Sequence, residues 1–147
     1  MEDAHVSRVI IRRLEPGRDL LDELSRVVRE NDIRLGLLSG IGALKRAAVG
    51  MFEQERRQYR TTTFDEEMEL CALAGNVSLK DGAPFCHVHL TLADREGRAF
   101  GGHAMPGCII FVAEVAILAL EGPPLARVPH DEAGGLAVWA RENAGRE

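Results

Sequence analysis

The sequence has few cysteines, fewer basic than acidic side chains and no long apolar run, and each of these features argues against a class of protein. Its three cysteines are an odd number without zinc-finger spacing, so we expect reduced thiols in a cytoplasmic protein rather than a disulfide framework. No apolar run is long enough to span a membrane, and the N-terminal MEDAHVSRV lacks the apolar region of a signal peptide. A membrane partner is therefore not expected.

The shortage of positive charge argues against a nucleic-acid partner. The chain has 18 basic and 23 acidic side chains and a formal net charge of -5. Because contacts to phosphates dominate the affinity of proteins for nucleic acids, an acidic chain is poorly suited to DNA. Arg56, Arg57 and Arg60 are the best candidates for a local basic patch, but we expect them to form a solvated strand or loop edge.

The composition is that of one folded domain. With 147 residues, of which 46% are hydrophobic and 28% charged, the chain is expected to form a single domain over 1–147. Leucine and valine at helical spacing predict one amphipathic helix at 18–31. The stretch Ser39-Gly40-Ile41-Gly42 is expected to bend the chain between two strands. Strands are predicted at 6–14, 32–38, 47–54, 59–64, 66–79, 85–93, 108–120, 125–128 and 136–139.

The stretch 84–107 carries the clearest functional pattern. In 85–93, three aliphatic side chains alternate with His87, His89 and a threonine. Because successive side chains of a strand point to opposite faces, the two histidines share the face opposite the aliphatic residues. Cys86 lies on the aliphatic face, so we interpret it as a core residue and not as a ligand.

The turn after this strand determines which residue of the next strand lies opposite the histidines. The sequence Asp94-Arg95-Glu96-Gly97 suits a type I turn closed by a glycine bulge, and a three-residue loop pairs Asp94 with Arg98. Counting back along both strands places His89 opposite His103, where Cβ atoms lie roughly 4.5–5.5 Å apart. A shift of one residue would move His103 to the other face of the hairpin.

Three imidazoles are therefore predicted to converge on one face, those of His87, His89 and His103. Gly101 and Gly102 remove side chains beside them, which leaves room for an ion and a further ligand. Neutral imidazoles suit Zn, and also Fe, Ni or Cu, with one coordination position open. The alternative interpretation is a set of solvated histidines on a hairpin surface.

A cupin-like barrel is a further alternative, because the cupin metal motif also begins with His-x-His. That motif requires a glutamate four residues after the second histidine, where this chain has Ala93. A second cupin motif is not evident, so the pattern disfavours a cupin.

The hairpin sequence CHVHLTLADREGRAFGGH resembles the signature of the PPC domain (plants and prokaryotes conserved). The stretches at 39–42 and 73–76, SGIG and LAGN, resemble the same family in the expected order. The similarity extends over about 7–139, nearly the whole chain. Plant members carry the domain behind an AT-hook, a short Arg-Gly-Arg-Pro segment that binds DNA, and generally lack the histidines. This chain keeps the histidines and has no AT-hook, so it resembles the stand-alone prokaryotic type.

The resemblance has implications for fold, assembly and cofactor. It implies an α/β (α+β) fold with a largely antiparallel β-sheet packed on one main α-helix. It implies a homotrimer, and a metal, usually taken as zinc, bound by the residues at His87, His89 and His103. DNA stays possible for the family, but the acidic charge and the missing AT-hook make it doubtful here.

The apolar stretch at 108–120 supports an oligomer independently of the family. As a strand it is apolar on both faces, so both faces need to be covered. The helix can cover one face, and a subunit interface can cover the other. Its one charged residue, Glu114, is then expected to be buried, either as a group that orients a metal-bound histidine or water, or as a structural hydrogen-bonding group.

Two functions follow from these observations. The first is a metal-binding, stand-alone PPC-domain protein with a regulatory or DNA-associated accessory role. The second is a metal-dependent, hydrolase-like enzyme, since three histidines and an open position can lower the pKa of a bound water to about 7. Glu114 or Asp94 would then be candidate bases, although Asp94 is expected to serve its turn. The small-molecule ligand is unknown, and no catalytic residue is identified.

Overall fold

A computed structural model describes residues 3–140, and within this range the chain forms a nine-stranded sheet with one α-helix and one short 3-10 helix. The largely antiparallel sheet with one main helix, expected from the sequence, is confirmed. The elements are β1 (His5–Arg13), α1 (Leu20–Glu30), β2 (Gly36–Glu53), β3 (Gln58–Phe64), β4 (Met68–Lys80), β5 (Ala83–Ala93), β6 (Ala99–Ala104), β7 (Ile109–Glu121), β8 (Ala126–Pro129), the 3-10 helix Asp131–Ala133, and β9 (Ala137–Trp139).

The long strand β2 organises the sheet. Along its first half it pairs with β7 on one edge and with β4 on the other, and its second half pairs with β3. The sheet continues from β4 to β5 and β6, and β6 returns to pair with β2 at Val49 and Gly50. Strand β1 pairs with β7, and β9 pairs with β8. All these pairings are antiparallel, whereas β8 runs parallel to β4.

The glycines near the start of β2 do not separate two strands as predicted. Strand β2 runs unbroken through Ser39-Gly40-Ile41-Gly42, with a register shift against β4 between Gly40 and Gly42. A Cβ atom at Gly42 would lie 2.1 Å from the carbonyl oxygen of Val112 on β7. The glycine is therefore needed for close approach of two strands at a bulge, a role that a glycine pair in the sequence does not distinguish from a turn.

The core lies between α1 and one face of the sheet. The helix presents Leu20, Leu24 and Val28, each less than 1% exposed, to this face. One row of directly paired residues crosses five strands there, and its core members are Ile10, Ile117, Leu38 and, past Gly75 of β4, Val88. Cys86 is buried on the same side, which confirms its interpretation as a core residue.

The opposite face of the sheet is not covered within residues 3–140. Ile11 is 74% exposed, Ile41 is 59% exposed and Leu37 is 46% exposed. On β7, Leu118 is half-buried and Glu114 is exposed. The strand predicted at 108–120 is confirmed, but the burial expected for Glu114 is wrong, because the single helix covers only the other face.

All three cysteines are free; Cys86 and Cys108 are buried and Cys71 is exposed. In the part of the chain that the structure describes, no helix has the length and apolar character needed to cross a membrane. The sequence also suggests a frayed tail at 140–147, and residues 141–147 lie outside the described residues.

Asp19 joins the start of α1 to the loop before β7. One carboxylate oxygen, Oδ1, accepts hydrogen bonds from the backbone N–H groups of Leu21 at 2.9 Å and Asp22 at 3.4 Å. The other oxygen, Oδ2, accepts from the N–H of Gly107 at 2.6 Å. One side chain thus caps the helix and satisfies a donor in the 105–108 turn.

We expect Asp19→Ala to lower the free energy of unfolding by about 1–3 kcal/mol, because the helix loses its cap and the Gly107 N–H loses its acceptor. Urea unfolding monitored by circular dichroism measures the change. Asp19→Asn should fall between wild type and Asp19→Ala, since it keeps one acceptor oxygen and replaces the other. The control is Asp22→Ala in the same helical turn, which should cost less; an equal loss in both variants would contradict the role assigned to Asp19.

Candidate metal centre

The hairpin of β5 and β6 has the register predicted from its turn. His89 pairs with His103, and the pairing continues to Ala93 and Ala99 next to the turn. The N–H of Asp94 donates to the carbonyl oxygen of Arg98 at 3.1 Å. The prediction that His89 lies directly opposite His103 is therefore confirmed.

The Asp94 side chain fixes this turn. Its Oδ1 accepts from the N–H groups of Glu96 at 3.0 Å and Arg98 at 2.9 Å, and its Oδ2 accepts from the Arg98 guanidinium at 2.6 Å. Gly97 adopts a φ of 76°, the left-handed conformation that the bulge requires. Since both oxygens of Asp94 are used in the turn, this carboxylate is not free to act as a base at the histidines.

The hairpin brings His87, His89 and His103 together. Their ring centroids are 5.0–5.3 Å apart, and one nitrogen of each ring lies within 4.8 Å of the others. His89 is exposed, and the other two rings are partly buried. Among residues 3–140 no other group of three histidine, cysteine or carboxylate side chains is placed to share an ion.

The surroundings keep at least two of these rings neutral. Desolvation by burial, with smaller effects of Arg127 and the other two histidines, lowers the pKa of His87 to about 4. Desolvation, followed by His89 and Arg127, also lowers the pKa of His103. At neutral pH both imidazoles therefore keep a lone pair for a ligand bond, which suits metal coordination.

His103 provides a further sign that the cluster fits a metal. Its Nδ1 atom is buried and has no hydrogen-bond partner in the described structure. Buried polar atoms normally have a partner, so an orphaned imidazole nitrogen beside two other imidazoles fits a ligand to an ion. The donor set of three nitrogens without a carboxylate suits zinc, copper, nickel or iron better than magnesium or calcium.

Three neighbours of the cluster were not predicted from the sequence. Arg127 on β8 places its Nη2 atom 3.1 Å from Nδ1 of His87 and 2.7 Å from Oδ1 of Asn76 on β4. The Tyr59 ring on β3 lies 5.1 Å from the ring of His103. Asn76 belongs to the LAGN stretch and had a signal in the sequence. Arg127 is an isolated arginine in a short segment, and nothing in its local sequence marks it.

The structure places the other residues considered for the site away from the histidines or gives them a different role. Glu114 is directly paired with Ile41 on β2, and β2 and β4 separate its strand from β5, so the structure does not bring Glu114 to the histidines. His5 lies 3.4 Å from Glu121, far along the chain from the hairpin. A Cβ atom at Gly101 would lie 2.8 Å from the carbonyl oxygen of Leu90, so this glycine is needed for close approach of β5 and β6. Gly102 pairs with the buried Leu90 on the core face, so it does not lie beside the histidines as predicted.

Two archaeal structures are similar to this chain over nearly its whole length. A metal-containing protein from Archaeoglobus fulgidus is 33% identical, with a TM-score of 0.89 over 96% of this chain and 99% of that chain. A plant- and prokaryote-conserved (PPC) protein from Pyrococcus horikoshii is 34% identical, with a TM-score of 0.90 over 97% of both chains. The fold described above is thus the fold of these proteins.

The chain also resembles part of a much longer bacterial protein. The bifunctional protein GlmU of a Synechococcus strain, JA-2-3B'a(2-13), is 35% identical over 136 residues, which are 90% of this chain and 20% of that protein. In a second Synechococcus strain, JA-3-3Ab, the corresponding values are 37%, 76% and 17%. The chain therefore spans about a fifth of the length of these curated relatives.

A family model matches most of this chain. The model of the Plants and Prokaryotes Conserved (PCC) domain matches residues 1–121, which include α1, the hairpin and the three histidines. Together with the fold and the two archaeal structures, this match means that the chain belongs to the Plants and Prokaryotes Conserved domain family.

Proposed function

We propose that this PCC-domain protein binds one transition-metal ion, zinc in the first instance, through His87, His89 and His103. The observation that carries the proposal is the convergence of three imidazoles, with nitrogens within 4.8 Å of one another, on one rigid hairpin. The metal-containing relative from Archaeoglobus fulgidus, at 33% identity, supports it. A metal held by three imidazoles keeps a coordination position for a further ligand.

We further propose that the protein acts as a ligand-binding, regulatory or accessory module rather than as a hydrolase. A side chain that acts as the general base of a hydrolase must lie within hydrogen-bond reach of the group from which it takes a proton. Both oxygens of Asp94 are bonded in the turn, and Glu114 lies on another strand beyond β2 and β4. No carboxylate among residues 3–140 joins the histidine cluster.

The assembly that we propose is a homotrimer built on the uncovered face of the sheet. Directly paired residues share a face, and two rows of pairs run from the histidines to the edge strand β1. These rows are His87, Asn76, Leu37, Leu118 and Val9, and His89, Ala74, Ser39, Ala116 and Ile11.

The exposed apolar residues of these rows favour an interface. At roughly 25 cal/mol per Å² of apolar area, covering several exposed aliphatic side chains stabilises an assembly by several kcal/mol per subunit. A contiguous patch of this kind is uncommon on a monomer. A closed ring would cover it in every copy, and the family resemblance supplies the number three. The histidines would then lie at the margin of the interface.

Replacing any one of His87, His89 and His103 with Ala should remove most of the bound metal, because two imidazoles alone hold a transition metal much more weakly. Metal content per chain is measured by inductively coupled plasma mass spectrometry, with circular dichroism to check the fold. The matched controls are His5→Ala and His130→Ala, which replace the two histidines outside the cluster. Cys86→Ser should also keep the metal, since Cys86 lies in the core. Unchanged metal content in all three cluster variants would refute the site.

Ile41→Asp should dissociate the assembly or cause aggregation, because it places a charge on the uncovered face next to Glu114. Light scattering at micromolar concentration measures the mass: three chains of 16.1 kDa give about 48 kDa, and the monomer gives 16.1 kDa. The control Arg29→Asp, on the exposed side of α1, should leave the mass unchanged. A wild-type mass equal to one chain would refute the trimer, and a dimer would refute the number three alone.

Duplex DNA is expected to bind weakly or not at all at physiological salt. Arg56 and Arg57 lie in the β2–β3 turn, where Arg56 is 3.6 Å from Glu53, so the local charge is mixed. Fluorescence anisotropy with labelled duplex DNA, repeated at several salt concentrations, measures the affinity. Submicromolar binding with a steep salt dependence would contradict this expectation and direct attention to these arginines.

A further inference from the structure

Arg127 is a buried cation whose hydrogen-bond partners among residues 3–140 are all neutral. Its side chain belongs to a residue that is only 9% exposed. Nε donates to Ser78 Oγ at 2.9 Å, Nη1 donates to the carbonyl oxygen of Ala137 at 3.1 Å, and Nη2 lies 2.7 Å from Asn76 Oδ1 and 3.1 Å from His87 Nδ1. Within residues 3–140 no carboxylate forms an ion pair with this guanidinium.

An uncompensated charge in this position needs an explanation. Burying a charged group is costly unless an opposite charge accompanies it, and buried charges in proteins are normally paired. Other arginines of the described chain follow this rule even at the surface: Arg26, Arg46 and Arg98 each have a carboxylate within 3.0 Å. A cation bound at the neighbouring histidines would add further positive charge to the same region.

The contact between Arg127 and His87 depends on the state of the imidazole. Arginine has only donors, so Nδ1 of His87 must be the acceptor, and the proton of the neutral ring is then on Nε2. If a metal binds at Nδ1, it takes the lone pair that Arg127 uses. If a metal binds at Nε2, the proton of the neutral ring must be on Nδ1. Nδ1 is then a donor that faces the donor Nη2 of Arg127. With His87 as a neutral ligand, the Nη2 atom of Arg127 therefore loses one acceptor.

An open pocket lies directly at this place. It is lined by Asn76, His87, Arg127, Val138 and Trp139, and its volume is about 390 Å³. That volume suits a small molecule. Trp139 is 42% exposed, and its ring lies 5.8 Å from the guanidinium carbon of Arg127. A molecule that enters this pocket meets the guanidinium and His87 together.

We propose that the pocket binds a small oxyanion, a carboxylate or a phosphate group, which Arg127 holds beside the three histidines. The inference rests on the proposed metal site, because metal binding by His87 releases the Nη2 donor that the anion would use. The anion supplies the missing negative charge and the missing acceptor, and a guanidinium binds carboxylate and phosphate oxygens in a paired geometry.

Trp139 provides a direct readout, since it is the single tryptophan of the chain. Its fluorescence is titrated in metal-loaded protein with sodium acetate or inorganic phosphate at constant ionic strength, and with acetamide as the neutral counterpart of acetate. We expect a saturable change with at least one anion and none with acetamide. A response to acetate alone identifies a carboxylate ligand, and a response to phosphate alone identifies a phosphate ligand. An equal response to acetamide, or none to either anion, would overturn the inference.

Variants separate the charge of Arg127 from its structural contacts. Arg127→Gln should weaken anion binding about tenfold or more, whereas Arg127→Lys, which keeps the charge, should lose less. Arg95→Gln, at the exposed hairpin turn, should bind like wild type. If both Arg127 variants lose binding equally while their circular dichroism stays native, the charge is not what binds the anion. If Arg127→Gln does not fold, the comparison of acetate with acetamide in wild type still decides the matter.

The metal content of each sample distinguishes failure of this inference from failure of the proposed function. Wild-type protein that binds no metal would refute the metal site itself. Wild-type protein with one metal per chain and no anion response would overturn only the anion site. Metal-free wild type should respond more weakly than loaded protein, because Arg127 is then bonded to His87. An equal response without metal would overturn the coupling on which the inference is built.

Discussion

The candidate site depends on the register of one hairpin, and that register depends on the carboxylate of Asp94. By bonding to two backbone N–H groups and to the Arg98 side chain, Asp94 fixes a loop length that places His89 opposite His103. Because strand side chains alternate, a slip of one residue would put His103 into the core and Gly102 or Ala104 in its place opposite His89. The polar turn and the apolar core therefore enforce the same pairing.

A second constraint is that one helix can cover only one face of the sheet. The row of Ile10, Ile117, Leu38 and Val88 lies under α1, and the rows beside it point away from the helix. The histidines belong to that second face, together with the exposed aliphatic residues of β1 and β2. The same asymmetry places the histidine cluster beside an apolar surface, so the proposed metal site and the proposed subunit interface are neighbours in this fold.

A third property of the site is the charge of its side chains. Neutral imidazoles and a buried guanidinium lie together without a carboxylate among the described residues. Burial lowers the pKa of His87 and His103, so neither ring is in the cationic imidazolium form at neutral pH. The lone pairs of such imidazoles suit transition metals such as zinc, copper, nickel or iron, and the guanidinium suits an anion. The Asp94 carboxylate is close to the histidines in sequence. Its oxygens accept hydrogen bonds from the backbone and the Arg98 side chain of the turn, so it does not join the cluster.

The sequence by itself determined the local features. Alternation, turn chemistry and helical spacing are short-range properties, so the hairpin with its three histidines, the helix at 18–31 and the buried Cys86 could all be predicted. The sequence did not determine which residues of distant strands lie next to these elements. The glycines of β2 were predicted to separate two strands, because only the neighbouring strand β7 shows why they are needed. The burial predicted for Glu114 was wrong, because burial depends on what covers each face of the sheet. Arg127 reaches His87 across 40 positions of the chain through the parallel pairing of β8 with β4, and only the tertiary structure decides a contact of that range.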